Sequence, residues 1–332
     1  MSKVFPRPGR RRALPVAAAG AVALGLLLWW LLPLGQKPPS GTIVFSTGTA
    51  SGVYQEYGER LRSELAKDMP GLKVELLNSA GSQENVQRVA TGRADFTIAA
   101  ADAVETYELE HGSGAGRLRG VARLYDDYVH LIVRSGSDIR SVADLRHRRV
   151  AIGLPDSGVR LIADRVLRAA GIDPRTDITP VADGIDTGPE RLRQKKIDAF
   201  FWSGGLPTKG LVPLAQRSAF KFVPIDGSLV AELHSEGQET RYYRPANIPE
   251  SAYPAVQQGN EVPTIAVSNL LMTRTDVDPR LTEWVTRTVI KSRDGIGAHV
   301  HSAQLVDLRT AIYTDPLPLQ EGARRYYRSV KP

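Results

Sequence analysis

Three short stretches of small hydroxyl and glycine residues have the types and spacing to hold an anion. The first, Ser46 to Gly52, separates a β-rich run (Thr42 to Phe45) from a segment in which Val53, Tyr54, Tyr57, Leu61 and Leu65 recur at helical spacing. The second, Asn78 to Asn85, follows the β-rich Leu72 to Leu76 and opens a helix that ends before Gly92; Ser82 is the expected N-cap, with Asn85 three residues on. In the third, Leu154 to Arg160 leads from Val150–Gly153 into a helix with apolar positions at Ile162, Val166 and Ala169. The first N–H groups of a helix have no intrahelical acceptor and sit at the positive end of its dipole, so each loop is suited to a carboxylate or phosphate. Gly48 and Gly52 let the backbone approach a ligand, and Ser46, Thr47, Thr49 and Ser51 add hydroxyls.

The elements that must position these loops alternate as strand and helix, with connections too long for hairpins, which predicts parallel strands and right-handed crossovers. Ala94 to Ala99 is a third strand, followed by Asp102. Val129 to Val133 and Val150 to Gly153 read as strands flanking a basic helix around Asp144-Leu145-Arg146. Pro189 starts a helix, Ile197 to Trp202 is a strand, and Ser203 to Thr208 follows it as another small-residue loop. Pro263 to Met272 is a long β-like run, Asp278-Pro279 introduces an amphipathic helix, and GARRYYRS forms the last one. The glycines from Gly112 to Gly120 lack the apolar helix that a dinucleotide fingerprint needs.

The 332 residues fit two domains of ordinary size. Net charge is +7, but Lys3, Arg7, Arg10, Arg11, Arg12 and Lys37 all precede Ser40 with no acid among them; removing those six from 43 Lys and Arg leaves 37 against 36 acids. The body is therefore near neutral, and nucleic acid is not an expected partner. Arg10 to Arg12 precede an apolar run from Ala13 to Leu34, long enough to span a bilayer, with the positive charge retained inside and the body exported. Without an A-x-A-like site near Leu34-Gly35-Gln36, a retained signal-anchor is favoured over a cleaved signal, with the body at the periplasmic or outer face of the membrane. The absence of cysteine excludes disulfides, thiol catalysis and Cys-ligated metals. None of the G-x-S-x-G, P-loop and H-E-x-x-H motifs occurs, and His299-x-His301 reads as surface or packing, so neither catalysis nor a metal or other cofactor is expected.

Several blocks, in this order and spacing, resemble the TAXI-type solute-binding subunits of tripartite ATP-independent periplasmic (TRAP) transporters. They are TGTASGVYQEYG, NSAGSQENVQRVATGRADFTIAAADAV, the LY of Leu124-Tyr125, VADLRHRRVAIG, Ser157-Gly158, IDAFFWSGGLPT and the terminal PLQEGARRYY, and the likeness runs from about Thr42 to the end. This chain departs from that pattern at Asp156-Ser157-Gly158-Val159, where the family usually has G-S-G-T, and at Leu319-Gln320-Glu321. The resemblance implies an α/β type II periplasmic-binding-protein fold, two Rossmann-like lobes with a ligand cleft between them. Residues 1–40 would be the signal-anchor, 41–128 with 273–332 the first lobe, and 129–272 the second lobe with its crossover strands.

By the same resemblance the protein captures a small organic anion, glutamate or a C4/C5 dicarboxylate, and delivers it to TRAP membrane subunits. A membrane-anchored ligand sensor on the same fold is the alternative, and an extracytoplasmic hydrolase a more distant one. The expected ligand contacts are Thr47, Gly48, Thr49, Ser51, Gly52 and Tyr54 from the first loop, Ser82, Gln83 and Asn85 from the second, and Ser157, Gly158 and Val159 from the third, with Asp102, Tyr125, Trp202 and Gly204 around them. Asp156 is the awkward member, because an ionised carboxylate repels an anionic ligand unless that ligand also carries an amino group. It either favours an amino acid such as glutamate or caps the following helix from outside the cleft.

Overall fold

The computed structural model describes residues 37–217 and 220–330. The expected signal-anchor falls on residues 1–36, outside the described residues, among which no helix is long and apolar enough to cross a membrane.

Among the described residues, those from Pro39 onward form one compact unit built on a ten-stranded sheet. Its strands are β1 (Gly41–Ser46), β2 (Leu72–Leu77), β3 (Phe96–Ala100), β4 (Leu118–Arg134), β5 (Arg149–Ala151), β6 (Thr179–Val181), β7 (Ala199–Gly204), β8 (Phe220–Val223), β9 (Arg244–Ile248) and β10 (Val262–Arg274). The order is β2-β1-β3-β10-β4-β7-β5-β6, with β8 paired to β4 and β9 to β10. Strands β1, β2 and β3 are mutually parallel, as are β5, β6 and β7, in keeping with the crossovers read from the sequence.

The two long strands join the halves of this sheet by changing partners midway. β4 pairs with β10 from Leu118 to Tyr128 and then with β7 and β8 as far as Arg134. β10 pairs with β9 up to Ala266 and with β3 from Asn269 onward. The sequence showed only the second half of β4, because the stretch before Val129 carries Arg119, Arg123, Asp126 and Asp127 and lacks the apolar run of a buried strand. Where the sequence suggested a helix around Asp144, there is only a short turn of 3₁₀ helix, Val142–Leu145, closed by a capping box between Ser141 and Asp144.

The principal helices are α1 (Val53–Asp68), α2 (Ser82–Ala90), α3 (Ala101–Leu109), α4 (Gly158–Ala169), α5 (Gly188–Arg193), α6 (Gly227–Glu236), α7 (Pro279–Lys291) and α8 (Glu321–Val330). One core gathers Phe45, Tyr57, Leu61, Leu65, Val285, Val289, Tyr326 and Tyr327, which shows the chain returning from its C-terminal part to cover its first strands. In the other half, Leu131, Val133 and Phe201 face one core with Ile162 and Val166, while Ile132, Phe200 and Trp202 face another with Phe222 and Tyr253. Successive strand residues point to opposite faces, so a strand covered on both sides reads as the unbroken apolar run AFFW.

Helices α7 and α8 touch through glycine. A Cβ at Gly322 would lie 1.8 Å from the Pro279 carbonyl oxygen and 2.7 Å from Glu283 N, backbone atoms that cannot swing aside. Gly322→Ala is expected to lower stability by about 1–3 kcal/mol or more through forced separation of the two helices. Urea unfolding measures this, and a loss below about 0.5 kcal/mol would show that the helices part freely.

Candidate functional site

The three loops do meet. Around a cavity of about 60 Å³ stand Gly48, Thr49, Gly52 and Tyr54 from the first, Gly81 and Ser82 from the second, and Ser157, Gly158 and Val159 from the third, with Trp202 and Ser203 from the end of β7. All three loops sit at the carboxyl ends of parallel strands and feed helix N-termini, so their converging N–H groups give the cavity a positive field. The walls between them, including Val53, Ala100, Leu154 and Ile162, are apolar.

Each loop is held by its own local chemistry. In the first, Thr47 Oγ1 donates to Gln55 Oε1 at 2.6 Å and Gly52 N bonds back to Thr49 O, fixing the turn into α1. In the second, the cap position belongs to Gly81 instead of Ser82, and the Glu84 carboxylate accepts from Ala80 N at 2.8 Å. Ser82, one position inside the helix, accepts from Ala100 N at 3.1 Å and bonds the Tyr54 hydroxyl at 3.0 Å. In the third, Ser157 is the true N-cap, its Oγ accepting from Arg160 N at 3.0 Å and donating to Leu154 O at 2.7 Å. Gly153, which precedes this loop, has φ +89° and would press a Cβ to 2.8 Å from Arg160 N, so only glycine allows β5 to turn this tightly into α4.

The second and third loops also bond directly to each other. Gln83 Nε2 donates to Ser157 O at 2.7 Å, and Glu84 N to Asp156 O at 3.0 Å. At the rim Ser51 N donates to Asp186 Oδ1 at 3.2 Å, and the Ser51 hydroxyl bonds the same carboxylate.

Nine of the sixteen residues expected from the sequence line the cavity: Gly48, Thr49, Gly52, Tyr54, Ser82, Ser157, Gly158, Val159 and Trp202. The others stand back from it, for identifiable reasons. Thr47 and Asn85 are fully buried and tie the loops together; the Asn85 amide donates to Thr47 O and Ile98 O, and its carbonyl accepts from Ser46 Oγ. Ser51 and Gln83 serve the rim and the bonds between loops. Tyr125 packs against Tyr57 with ring centroids 5.8 Å apart, and Gly204 lies under the Trp202 indole.

Asp102 accepts from the Tyr243 hydroxyl at 2.7 Å and faces Arg165 at 3.5 Å, a buried ion pair apart from the cavity. Burial raises its carboxyl pKa, against which Arg165 and Tyr243 pull. Arg165, a charged residue within α4, is buried among Asp102, Thr106, Tyr243 and Glu239. Asp156, exposed at φ +60°, contributes its carbonyl to the bond between loops and does not cap α4.

Asp127 borders the cavity and was not anticipated. It is 4% exposed, and its Oδ1 has no hydrogen-bond partner. Burial pushes its pKa up to about 7; Asn269 lowers it, while Asp126 and Asp102 add to the rise. Asn269 also accepts from the Tyr54 hydroxyl at 2.5 Å, which links α1, β10 and the floor of the site. The signal available in the sequence was the acidic pair Asp126-Asp127 inside a strand whose flanks are apolar. Asp126 forms ion pairs with Arg123 and Arg244, which leaves Asp127 as the member without a cation.

Residues 45–330 match the NMT1-like family. The chain belongs to that family. Solved structures similar to this NMT1-like protein include one from Bordetella bronchiseptica RB50 (16% identity, 90% of this chain and 92% of that one, TM-score 0.53). A putative L-cystine ABC transporter protein from Listeria monocytogenes is 15% identical over 80% of this chain and 98% of that one, with a TM-score of 0.50. The periplasmic aliphatic sulphonate binding protein SsuA from Escherichia coli is 14% identical over 89% and 80%, with a TM-score of 0.48. With the sheet order and the two strands that change partners, the likeness is one of architecture: the protein has the mixed α/β fold of the type II periplasmic binding proteins.

Proposed function

We propose that this NMT1-like protein is an extracytoplasmic solute-binding protein that captures a small carboxylate-bearing solute and delivers it to the membrane subunits of a transporter. The carrying observation is the convergence of three loop-to-helix N-termini on one cavity. Each helix end favours negative charge by about 0.3–2 kcal/mol, so three give roughly 1–6. Micromolar affinity needs about 8 kcal/mol, and a hydrogen bond from Thr49 with burial against Tyr54 and Trp202 would supply the remainder.

The TAXI-like blocks favour a TRAP permease as the recipient and make organic acids of glutamate or C4/C5 dicarboxylate type the starting class of cargo, which the lining of this cavity then narrows. Lobes of residues 41–128 with 273–332 and of 129–272 are our working division, supported by the exchange of partners along β4 and β10. We read the site as binding and not catalytic, because Ser157, the hydroxyl best placed to attack, already donates to a backbone carbonyl and caps its helix.

A thermal-shift screen of organic acids on the purified full chain, followed by calorimetry on the strongest, tests the reading. Thr49→Ala and Trp202→Ala are each expected to weaken binding by about 0.5–3 kcal/mol, up to a hundredfold in Kd. Arg62→Ala, on the exposed side of α1, should change nothing. Equal affinities in all three variants would move the site elsewhere.

A further inference from the structure

Among the residues lining the cavity there is no arginine, lysine or histidine; the charged side chain there is Asp127. That narrows the cargo, given the reading of this cavity as a solute site. A dicarboxylate would bring two negative charges beside a buried carboxylate, with only helix ends, each equivalent to about half a positive charge, to answer them. A lone ammonium would satisfy Asp127 but leave the converging N–H groups unused. A zwitterion answers both ends at once. We propose that the cavity selects an α-amino acid with an apolar side chain, its carboxylate received by the helix N-termini and its ammonium by the Asp127 carboxylate.

Three further observations fit. The Asp127 carboxylate borders the cavity at 4% exposure, and its Oδ1 has no hydrogen-bond partner within the protein. The walls that would meet the side chain, Val53, Ala100, Leu154, Val159, Ile162 and Trp202, are apolar and carry no cation for a second carboxylate. The cavity of about 60 Å³ has room for about four to six waters, a space on the order of that filled by a single amino acid.

The pH dependence has a definite sign. Asp127 is faced by Tyr54 from α1, Tyr125 and Asp126 on its own strand, Asp102 from α3 and the neutral Asn269 from β10. Asp102 is answered by Arg165, and Asp126 by Arg123 and Arg244, so no cation remains for Asp127. With a pKa of about 7 before binding, Asp127 must lose a proton to take an ammonium. Affinity for an amino acid should therefore fall about tenfold per unit as pH drops below about 7. Were Asp127 instead a neutral donor to a second carboxylate, affinity would fall as pH rose above that point.

Calorimetry on the full chain with L-alanine, L-valine, propionate, propylamine and succinate tests this. The expected result is binding of the amino acids alone, weakening toward pH 5, with Asp127→Asn raising their Kd by at least about 30-fold, the scale of truncating one partner of a buried charge pair. Because Asp127→Asn keeps shape and volume, and the wild-type pH profile needs no variant, a folding defect cannot imitate the result. Succinate or propionate binding as tightly as L-alanine, or unchanged affinity in Asp127→Asn, overturns the amino-acid assignment while leaving a carboxylate site in place. Failure of every carboxylate tested overturns both.

Discussion

Arg165→Ala is expected to remove about 3–5 kcal/mol of stability, as is usual when one member of a buried pair is deleted. The guanidinium is 4% exposed, donates to the Tyr243 hydroxyl at 2.9 Å and to Thr106 Oγ1 at 2.8 Å, and faces Asp102 and Glu239. Without it Asp102, fully buried with Oδ1 already unpartnered, is left as an uncompensated charge. Replacing both members by apolar residues, Arg165→Met with Asp102→Leu, should recover most of the loss, because removing both charges removes the desolvation cost that neither can bear alone. Urea unfolding of the two variants measures this. A single variant within about 1 kcal/mol of wild type would mean that water reaches Asp102.

The second large effect is a pH dependence set by the buried Asp127. Burial pushes Asp127 up to about 7, above the ordinary aspartate value near 3.9, so its contribution to stability is greatest at low pH and is lost as pH rises from about 4 to 7. His130 runs the other way. Enclosed by the rings of Phe222 and Tyr253, with Nδ1 2.8 Å from the Tyr128 carbonyl and Nε2 3.3 Å from the Tyr253 hydroxyl, it is held by burial down to about 4 against an ordinary 6.5. Its contribution is full above about 6.5 and is lost as pH falls toward 4. Over that range the two contributions have opposite sign and offset one another in part. Asp127→Asn removes one slope. Relative to wild type the variant should gain about 1.4 kcal/mol per unit between pH 4 and 7, about 4 kcal/mol in all, read from urea midpoints at pH 4.5 and 7.5. A difference that does not vary with pH would show Asp127 ionised throughout.

The loops were legible in the sequence because their chemistry is local. A strand, a run of small residues and a helical apolar stripe lie within about twenty residues of one another, and the glycines and hydroxyls state what the backbone must do. What escaped depends on residues far apart in the chain. Asp127 reaches the site only because β4 and β10 change partners beside it, and its lack of a cation follows from Arg123 and Arg244 both choosing Asp126. Asn85 and Thr47 were misplaced for the opposite reason: an amide or hydroxyl in a loop suits a ligand and a neighbouring loop equally well, and only the partners decide. Arg165 had left a trace, since it falls three residues after Ile162 and one before Val166, on the face of α4 that the apolar spacing turns inward.

The bonds that run from Gln83 and Glu84 to the carbonyls of Ser157 and Asp156, and from Ser51 to Asp186, are made by the protein to itself. They are the same whatever lies in the cavity, so they weigh on every occupant alike, and what distinguishes one solute from another is left to the atoms that line the cavity.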